Sequence, residues 1–302
     1  MRQRSTCCSL RDDRGFTLLE LLVSLFISST VLGIVISSVL NLRNTYFTEI
    51  KRTQINGNLR SAMDIMSMNV RQSGENLLSA FPAILLEDGA SGASDVLTLR
   101  RSPITEVLSL CADAAAGTNV LQISSASLSN AECIPANVGP VYSIFTTQLG
   151  ASNGALRIFL YDNVLKTGEF VEYMSGSFVS GQYSLSVGTL SRSYSQLTTS
   201  IYVLEEYQFS RDAVADRLEL TVNDDPESLA PVAFGVTDFQ VAFDLQDGST
   251  VTSFAQSGTT DWKDVRAIRM TLSGMSEFKG HEVRSTITST FFPRNVLSYE
   301  GM

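Results

Sequence analysis

Histidine is almost missing from this 302-residue chain: His281 is the only one. That scarcity excludes a multi-histidine metal site and a catalytic network with a spare imidazole. Cysteine occurs four times, at 7, 8, 111 and 133, with no C-x-x-C pair, so thioredoxin-type redox chemistry and zinc-ribbon spacing are excluded too. Proline is absent from residue 1 to Phe81, and nothing of the proline type interrupts a helix over that stretch. Basic residues are outnumbered, 22 Lys and Arg against 31 Asp and Glu, giving a net charge of -9 that argues against a dedicated nucleic-acid binder. No glycine-rich phosphate loop, internal repeat or block of like charge stands out.

What is present is concentrated at one end. Phe16 to Leu42 reads FTLLELLVSLFISSTVLGIVISSVLNL, in which 17 of 27 residues are Phe, Leu, Ile or Val and Glu20 is the only charge. As a helix it spans roughly 40 Å, more than a ~30 Å hydrocarbon core needs. Few helices of soluble proteins stay apolar on every face for so long. The run is also about twice a signal-peptide core, and SSVLNLRN after it offers no small-residue cleavage site. A membrane helix is expected. Arg2, Arg4, Arg11 and Arg14 precede it, against Arg43, Lys51 and Arg52 beyond it, which slightly favours a cytoplasmic N-terminus. Glu20 is the anomaly: a carboxylate inside an apolar run is expensive and asks for a partner, unless it stays protonated or reaches the membrane edge.

Arg14-Gly15-Phe16-Thr17-Leu18-Leu19-Glu20, behind a short basic leader, resembles the processing motif of type IV prepilins and type II secretion pseudopilins. The resemblance implies that a prepilin peptidase cuts between Gly15 and Phe16 on the cytoplasmic side and that the same enzyme N-methylates Phe16. Glu20 becomes the fifth residue, ~6 Å along the helix from the new amine. The resemblance implies that it pairs with the N-terminal cation of a neighbouring subunit during assembly. Loss of the leader, with four Arg and two Asp, takes the net charge from -9 to -11.

The helix is expected to continue beyond Leu42. Leu59, Met63, Met66, Val70, Ser73 and Leu77 step by 4-3-4-3-4, an apolar seam with one polar member, while Arg60, Asp64, Asn69 and Arg71 take other faces. Gly74 suits a C-cap and Pro82 a stop. The chain thus divides into a leader (1–15), a transmembrane or filament-core helix (16–42), its amphipathic continuation (43–80) and a β-rich head (81–302). Strands are expected over 96–101, 119–124, 141–146, 155–161, 169–174, 183–187, 200–210, 217–222, 236–244, 265–272 and 283–292. The segments Val265–Leu272 and Arg284–Thr290 alternate at period two. Asn153-Gly154, Asn223-Asp224-Asp225-Pro226 and Asp247-Gly248 are turn signals, and 88–94 and 148–154 are expected as exposed loops. The fold class is α+β and type IV pilin-like, a long N-terminal helix packed on an antiparallel β-rich head.

Three further segments narrow the resemblance to PilW-type minor pilins. They are Leu59–Asp64 with Val70–Gly74, then Val236–Val241 with Trp262–Arg269, and Pro293-Arg294-Asn295. Asn69 and Ser73 replace an acid and an alanine common there, and the middle of the chain, about 83–200, matches no family pattern.

Other sites are weak. Cys7 and Cys8 leave with the leader, whereas Cys111 and Cys133 in the exported head are candidates for a disulfide, the alternative being two separate thiols. Closing that loop is worth roughly 3 kcal/mol in the loop-entropy model. His281 beside Glu282 has no serine elbow or catalytic cysteine to serve. Glu205-Glu206, Asp224-Asp225 and Asp212/Asp216 are carboxylate pairs, but neighbours on a strand face opposite ways. Asp244 and Asp247 could supply oxygen ligands to calcium, although a hairpin turn explains them without metal. Arg100-Arg101 is a candidate local basic patch. No enzyme, cofactor or metal is expected. The partners implied are other major and minor pilins, prepilin peptidase, the inner-membrane assembly machinery and, before assembly, lipid. The implied location is the bacterial inner membrane, then an extracellular pilus. The readings are a PilW-type minor pilin priming or capping a filament, a J-type pseudopilin, or a tip module that binds a ligand, a surface or DNA. A membrane-anchored enzyme lacks a visible site.

Overall fold

In a computed structural model, residues 17–78, 81–125, 130–154, 156–255, 261–278 and 281–297 are described. One helix, α1, runs from Leu18 to Gln72 over 55 residues. The chain divides into two compact units, Met1–Lys51 and Arg52–Met302, so α1 contributes to both.

In the first unit, every described residue up to Tyr46 is exposed. The helix is long and apolar enough there to cross a membrane, and none of its most apolar window is buried in protein. Three of its hydroxyls are satisfied by carbonyls of the preceding turn. Ser24 donates to Leu21 O, Ser29 to Phe26 O and Thr30 to Ile27 O, all at 2.8–2.9 Å. Such back-bonding keeps polar side chains affordable in hydrocarbon. Past the apolar run, Tyr46 and Phe47 meet edge to face and Arg43 lies over the Phe47 ring, the residue types that favour a membrane–water boundary.

The second unit starts from the seam on α1. Ile55, Leu59, Met63, Met66 and Val70 are all buried, as are Ser73 and Leu77 just beyond. The helix ends at Gln72, short of residue 80, because Gly74 takes a left-handed φ of +78°. That conformation is cheap only for glycine and turns the chain out of the helix.

Fifteen strands follow among the described residues. They are β1 (Ile84–Glu87), β2 (Val96–Arg101), β3 (Leu108–Ser109) and β4 (Val120–Gln122), then β5 (Leu156–Asp162), β6 (Thr167–Val179), β7 (Gln182–Val187) and β8 (Thr199–Val203). β9 (Glu205–Asp212), β10 (Arg217–Val222) and β11 (Asp225–Phe234) come next, and β12 (Val236–Leu245), β13 (Thr250–Val251), β14 (Val265–Phe278) and β15 (His281–Phe291) complete them. Two more helices interrupt the series, α2 (Pro135–Ala151) before β5 and the single turn α3 (Arg294–Leu297) after β15. The strands form three sheets, β1-β2-β9-β10-β11, β13-β12-β14-β15 and β3-β8-β5-β6-β7-β4. Every ladder between them is antiparallel. The architecture is therefore α+β and pilin-like, a long apolar N-terminal helix followed by an antiparallel β head.

Two hydrophobic clusters hold the head. One joins the α1 seam to Phe209, Phe239, Phe243, Trp262 and Met270. The other sits under α2, where Val138 and Phe145 meet Leu160, Tyr173, Leu185 and Ile201 of the six-stranded sheet.

Several expectations need correction. Residues 141–146 are helical, not a strand, and 148–151 are the last turn of the same helix. The β-branched and aromatic composition of Val141–Thr146 favours a strand, but Val138, Val141, Tyr142, Phe145 and Leu149 form one stripe at helical spacing, and burial of that stripe wins. The expected strand 200–210 is two strands, broken at Leu204, which belong to different sheets. β11 follows directly on the turn at Asn223 and Asp224, both at positive φ, although it contains Pro226 and Pro231. Only an edge strand tolerates that, and β11 is an edge. The loop over 88–94 contains one 3-10 turn, Ala90–Gly92.

Candidate functional site

Gly15 and Phe16 lie outside the described residues, so the site is built from Thr17 onward. Thr17 is the N-cap of α1. Its hydroxyl accepts from the Glu20 N–H at 3.3 Å, while Glu20 Oε2 accepts from the Thr17 N–H at 3.1 Å and from the Thr17 hydroxyl at 3.0 Å. This is a capping box, in which N-cap and N3 side chains satisfy each other's backbone donors at a helix start. The T-x-x-E spacing that signals it is present in the sequence, and it gives Glu20 a local role within its own helix. The Glu20 side chain is exposed, and its Oε1 has no partner among the described residues. The first turn of an apolar helix therefore presents one carboxylate oxygen, held in place and free to receive a cation.

The other candidates are placed as follows. Cys111 and Cys133 form a disulfide, with Cα atoms 5.7 Å apart. Arg100 and Arg101 do not make a basic patch, and Glu205 and Glu206 do not make an acidic one. β2 and β9 pair Arg100 with Glu206 and Arg101 with Glu205. Arg100 Nε donates to Glu206 at 2.6 Å and Arg101 Nε to Glu205 at 2.6 Å, so the four charges cancel in cross-strand pairs. Asp244 receives Arg269 Nη2 on both carboxylate oxygens and the Thr250 hydroxyl on one. Asp247 caps its own turn by accepting from Ser249 N–H and hydroxyl, which lowers its pKa. No group of three or more metal-ligating side chains occurs among the described residues. Asp212 accepts from the Val214 and Ala215 N–H groups, while Asp216 pairs with Arg211. Asp225 accepts from the Glu227 N–H, and its neighbour Asp224 sits in the positive-φ turn before β11. His281 is the first residue of β15, opposite Phe278.

A structural role that the sequence does not advertise belongs to Asn295. Its Nδ2 donates to Ser73 O at 2.9 Å and Gln72 O at 3.3 Å, closing the carbonyl end of α1. Trp262, fully buried, donates Nε1 to Leu78 O at 3.2 Å just beyond that end.

The chain matches a protein-family model, the prokaryotic N-terminal methylation motif, over residues 10–36. It covers the last six residues of the leader, ending at Gly15, then Phe16, the capping box and most of the apolar helix. No curated protein sequence matches the chain significantly. The motif indicates a type IV pilin or a related pseudopilin processed by prepilin peptidase, and the helix that follows it is long and apolar enough to cross a membrane.

Proposed function

We propose that this chain is a PilW-type minor pilin, a structural subunit rather than an enzyme, which primes assembly of a type IV pilus or sits at its tip. The observation that carries the reading is the methylation motif joined to an apolar helix with no internal protein partner, followed by a β head. A helix that is apolar on all faces needs either lipid or other helices around it, and a filament core supplies the second once the subunit leaves the membrane. The PilW-type assignment draws support from where its three resembling segments lie. The end of α1 at Gly74, Trp262 and Asn295 converge on one structural element, the exit of the chain from the helix.

In this reading the peptidase cuts between Gly15 and Phe16 and methylates the Phe16 amine. Residues 16–42 hold the subunit in the inner membrane before extraction, with the N-terminus cytoplasmic and the head outside. Glu20 Oε1 receives the N-terminal cation of a neighbouring subunit, since opposite charges in low dielectric attract strongly and each alone is penalised. The test is intact mass and N-terminal peptide mapping of the mature protein. A chain starting at N-methylated Phe16 is expected; retention of Arg14 or Gly15 would overturn the processing. Co-purification then assigns the filament. Recovery with type IV pilins supports the minor pilin role, and recovery with type II secretion pseudopilins replaces it by the J-type role.

A further inference from the structure

Beneath the start of α2 lies a cavity of about 620 Å³ that the pilin reading does not use. That volume is in the range of small-molecule sites. Its floor is apolar: Phe81, Leu108, Val138 and Tyr202 are each at most 3% exposed, and the Phe81 and Tyr202 rings meet at 4.7 Å. Acceptors predominate in the polar lining, beside the Ser200 and Tyr202 hydroxyls. Glu132 Oε2 accepts from the Ser109 hydroxyl at 2.5 Å, which leaves Oε1 without a partner among the described residues. The Asn137 amide nitrogen is used by Ala131 O and that of Asn163 by Ser200 Oγ, which leaves both side-chain oxygens as acceptors. No Lys, Arg or His lines the cavity. A carboxylate and two amide oxygens in a cavity that two aromatic rings also line, with no competing cation in that lining, match a positively charged donor group on an apolar stem.

The two walls are also fixed to each other. Val107, Leu108 and Ser109 form one wall, just before Cys111, while Ala131, Glu132, Asn137 and Val141 form the other, on either side of Cys133. The Cys111–Cys133 disulfide and the Ser109–Glu132 hydrogen bond both cross between them. A cleft tied twice across its walls loses little freedom when a ligand enters.

We propose that this cavity is a binding site for an organic cation, a primary ammonium or guanidinium carried on an aromatic or aliphatic body. Glu132 takes the charge, Asn137 and Asn163 its remaining donors, and Phe81 with Tyr202 the apolar part. The inference is independent of which filament holds the subunit. The same chemistry arises from a free amine or from a basic side chain presented by another protein, and the two are separable.

The test is isothermal titration calorimetry on the mature full chain in neutral detergent, with phenethylammonium, its uncharged isostere phenethyl alcohol, and the capped peptide acetyl-Gly-Lys-Phe-Gly-amide. Phenethylammonium is expected to bind at least about tenfold more tightly than the alcohol. Glu132→Gln is expected to remove that preference with thermal unfolding unchanged, because Glu132 is exposed. Val141→Asp, which places a charge in the apolar wall, is expected to weaken the alcohol as well. Tighter binding of the peptide than of the amine assigns the site to a protein-borne cation; the reverse assigns it to a free amine. Equal binding of amine and alcohol, or an ammonium affinity unchanged in Glu132→Gln, would overturn the proposal. Reduction of the disulfide is expected to weaken all three probes, and an unchanged affinity would overturn the role given to the tied walls.

Discussion

Trp262 fills the space that a side chain at Gly74 would need: a Cβ built there falls on the six-membered ring of the indole. Gly74 also holds φ at +78° and donates its N–H to Arg100 O at 2.8 Å. Gly74→Ala therefore meets a left-handed backbone penalty and an overpacked contact together, about 2–4 kcal/mol in all. For a unit of this size that lowers the melting temperature by roughly 5–15 °C. Trp262 is the only tryptophan, so its fluorescence follows this site directly during unfolding. In a Trp262→Phe background the same substitution is expected to be less damaging, a coupling that a double-mutant cycle measures.

Asn295 closes the other side of the same corner. Its two hydrogen bonds reach carbonyls that a helix end leaves without partners, and Ser73 is buried. Asn295→Ala is expected to destabilise the head by about 1 kcal/mol, with Asn295→Asp worse because a carboxylate cannot donate and adds charge at the negative end of the helix. Thermal denaturation of the three proteins, read at the single tryptophan, ranks them.

How far the sequence reveals this corner depends on the range of the interaction. The α1 seam was legible because Leu59, Met63, Met66 and Val70 repeat at the helical period, a local signal that burial respects. Gly74 as the helix end was legible for the same reason. The partners that close it, Trp262 and Asn295, come from far along the chain, and no local pattern joins them. The α2 stripe was a competition between two local signals. Val141–Thr146 reads as strand by composition and helix by spacing, and packing over the six-stranded sheet decides it. At the candidate assembly site, the spacing of Thr17 and Glu20 was visible all along, but its meaning as a capping box needs the backbone geometry. The cavity under α2 brings together segments 78–81, 107–109, 131–141, 163 and 200–202, and its shape is a property of the fold alone.

Arg100 and Glu206 form a nearly buried pair, with side chains 12% and 6% exposed. Arg100 also donates to Pro82 O at 3.0 Å and stands 5.1 Å over the Phe159 ring. Removing one partner strands a charge in the interior, so Arg100→Ala and Glu206→Ala are each expected to lose about 3–5 kcal/mol. The double replacement Arg100→Met with Glu206→Leu recovers most of that loss. Urea unfolding of the single and double variants gives the coupling energy; simple additivity would show that the pair contributes nothing specific.

Stability at high pH is set partly by Tyr161. It is 1% exposed, its hydroxyl has no hydrogen-bond partner among the described residues, and burial pushes its pKa from 10.0 to about 12. Below pH 10 the phenol is neutral in folded and unfolded chains alike. Between about 10 and 12 the unfolded chain releases a proton that the folded chain retains, so stability falls as pH rises, by about 2–3 kcal/mol across the window. Tyr161→Phe is expected to flatten that fall and to change neutral-pH stability little, since no hydrogen bond is lost. Unfolding midpoints at pH 8, 10 and 11.5 for both proteins check the sign, and parallel curves would rule Tyr161 out as a contributor.

Glu20 separates two roles that a single alanine substitution confuses. As N3 of the capping box it accepts from Thr17, a task that glutamine also performs. As the receiver of a neighbouring N-terminal cation it must carry charge. Glu20→Gln therefore keeps the start of α1 while removing the charge that the proposed ion pair needs, and Thr17→Val weakens the cap while leaving the charge. If cation pairing governs assembly, Glu20→Gln is as defective as Glu20→Ala in filament incorporation, with membrane levels and helix content near those of the parent, and Thr17→Val retains most incorporation. If capping governs it, the order reverses: Glu20→Gln assembles and Thr17→Val does not. Immunoblots of sheared filaments against membrane fractions, run on all three variants, distinguish the two outcomes.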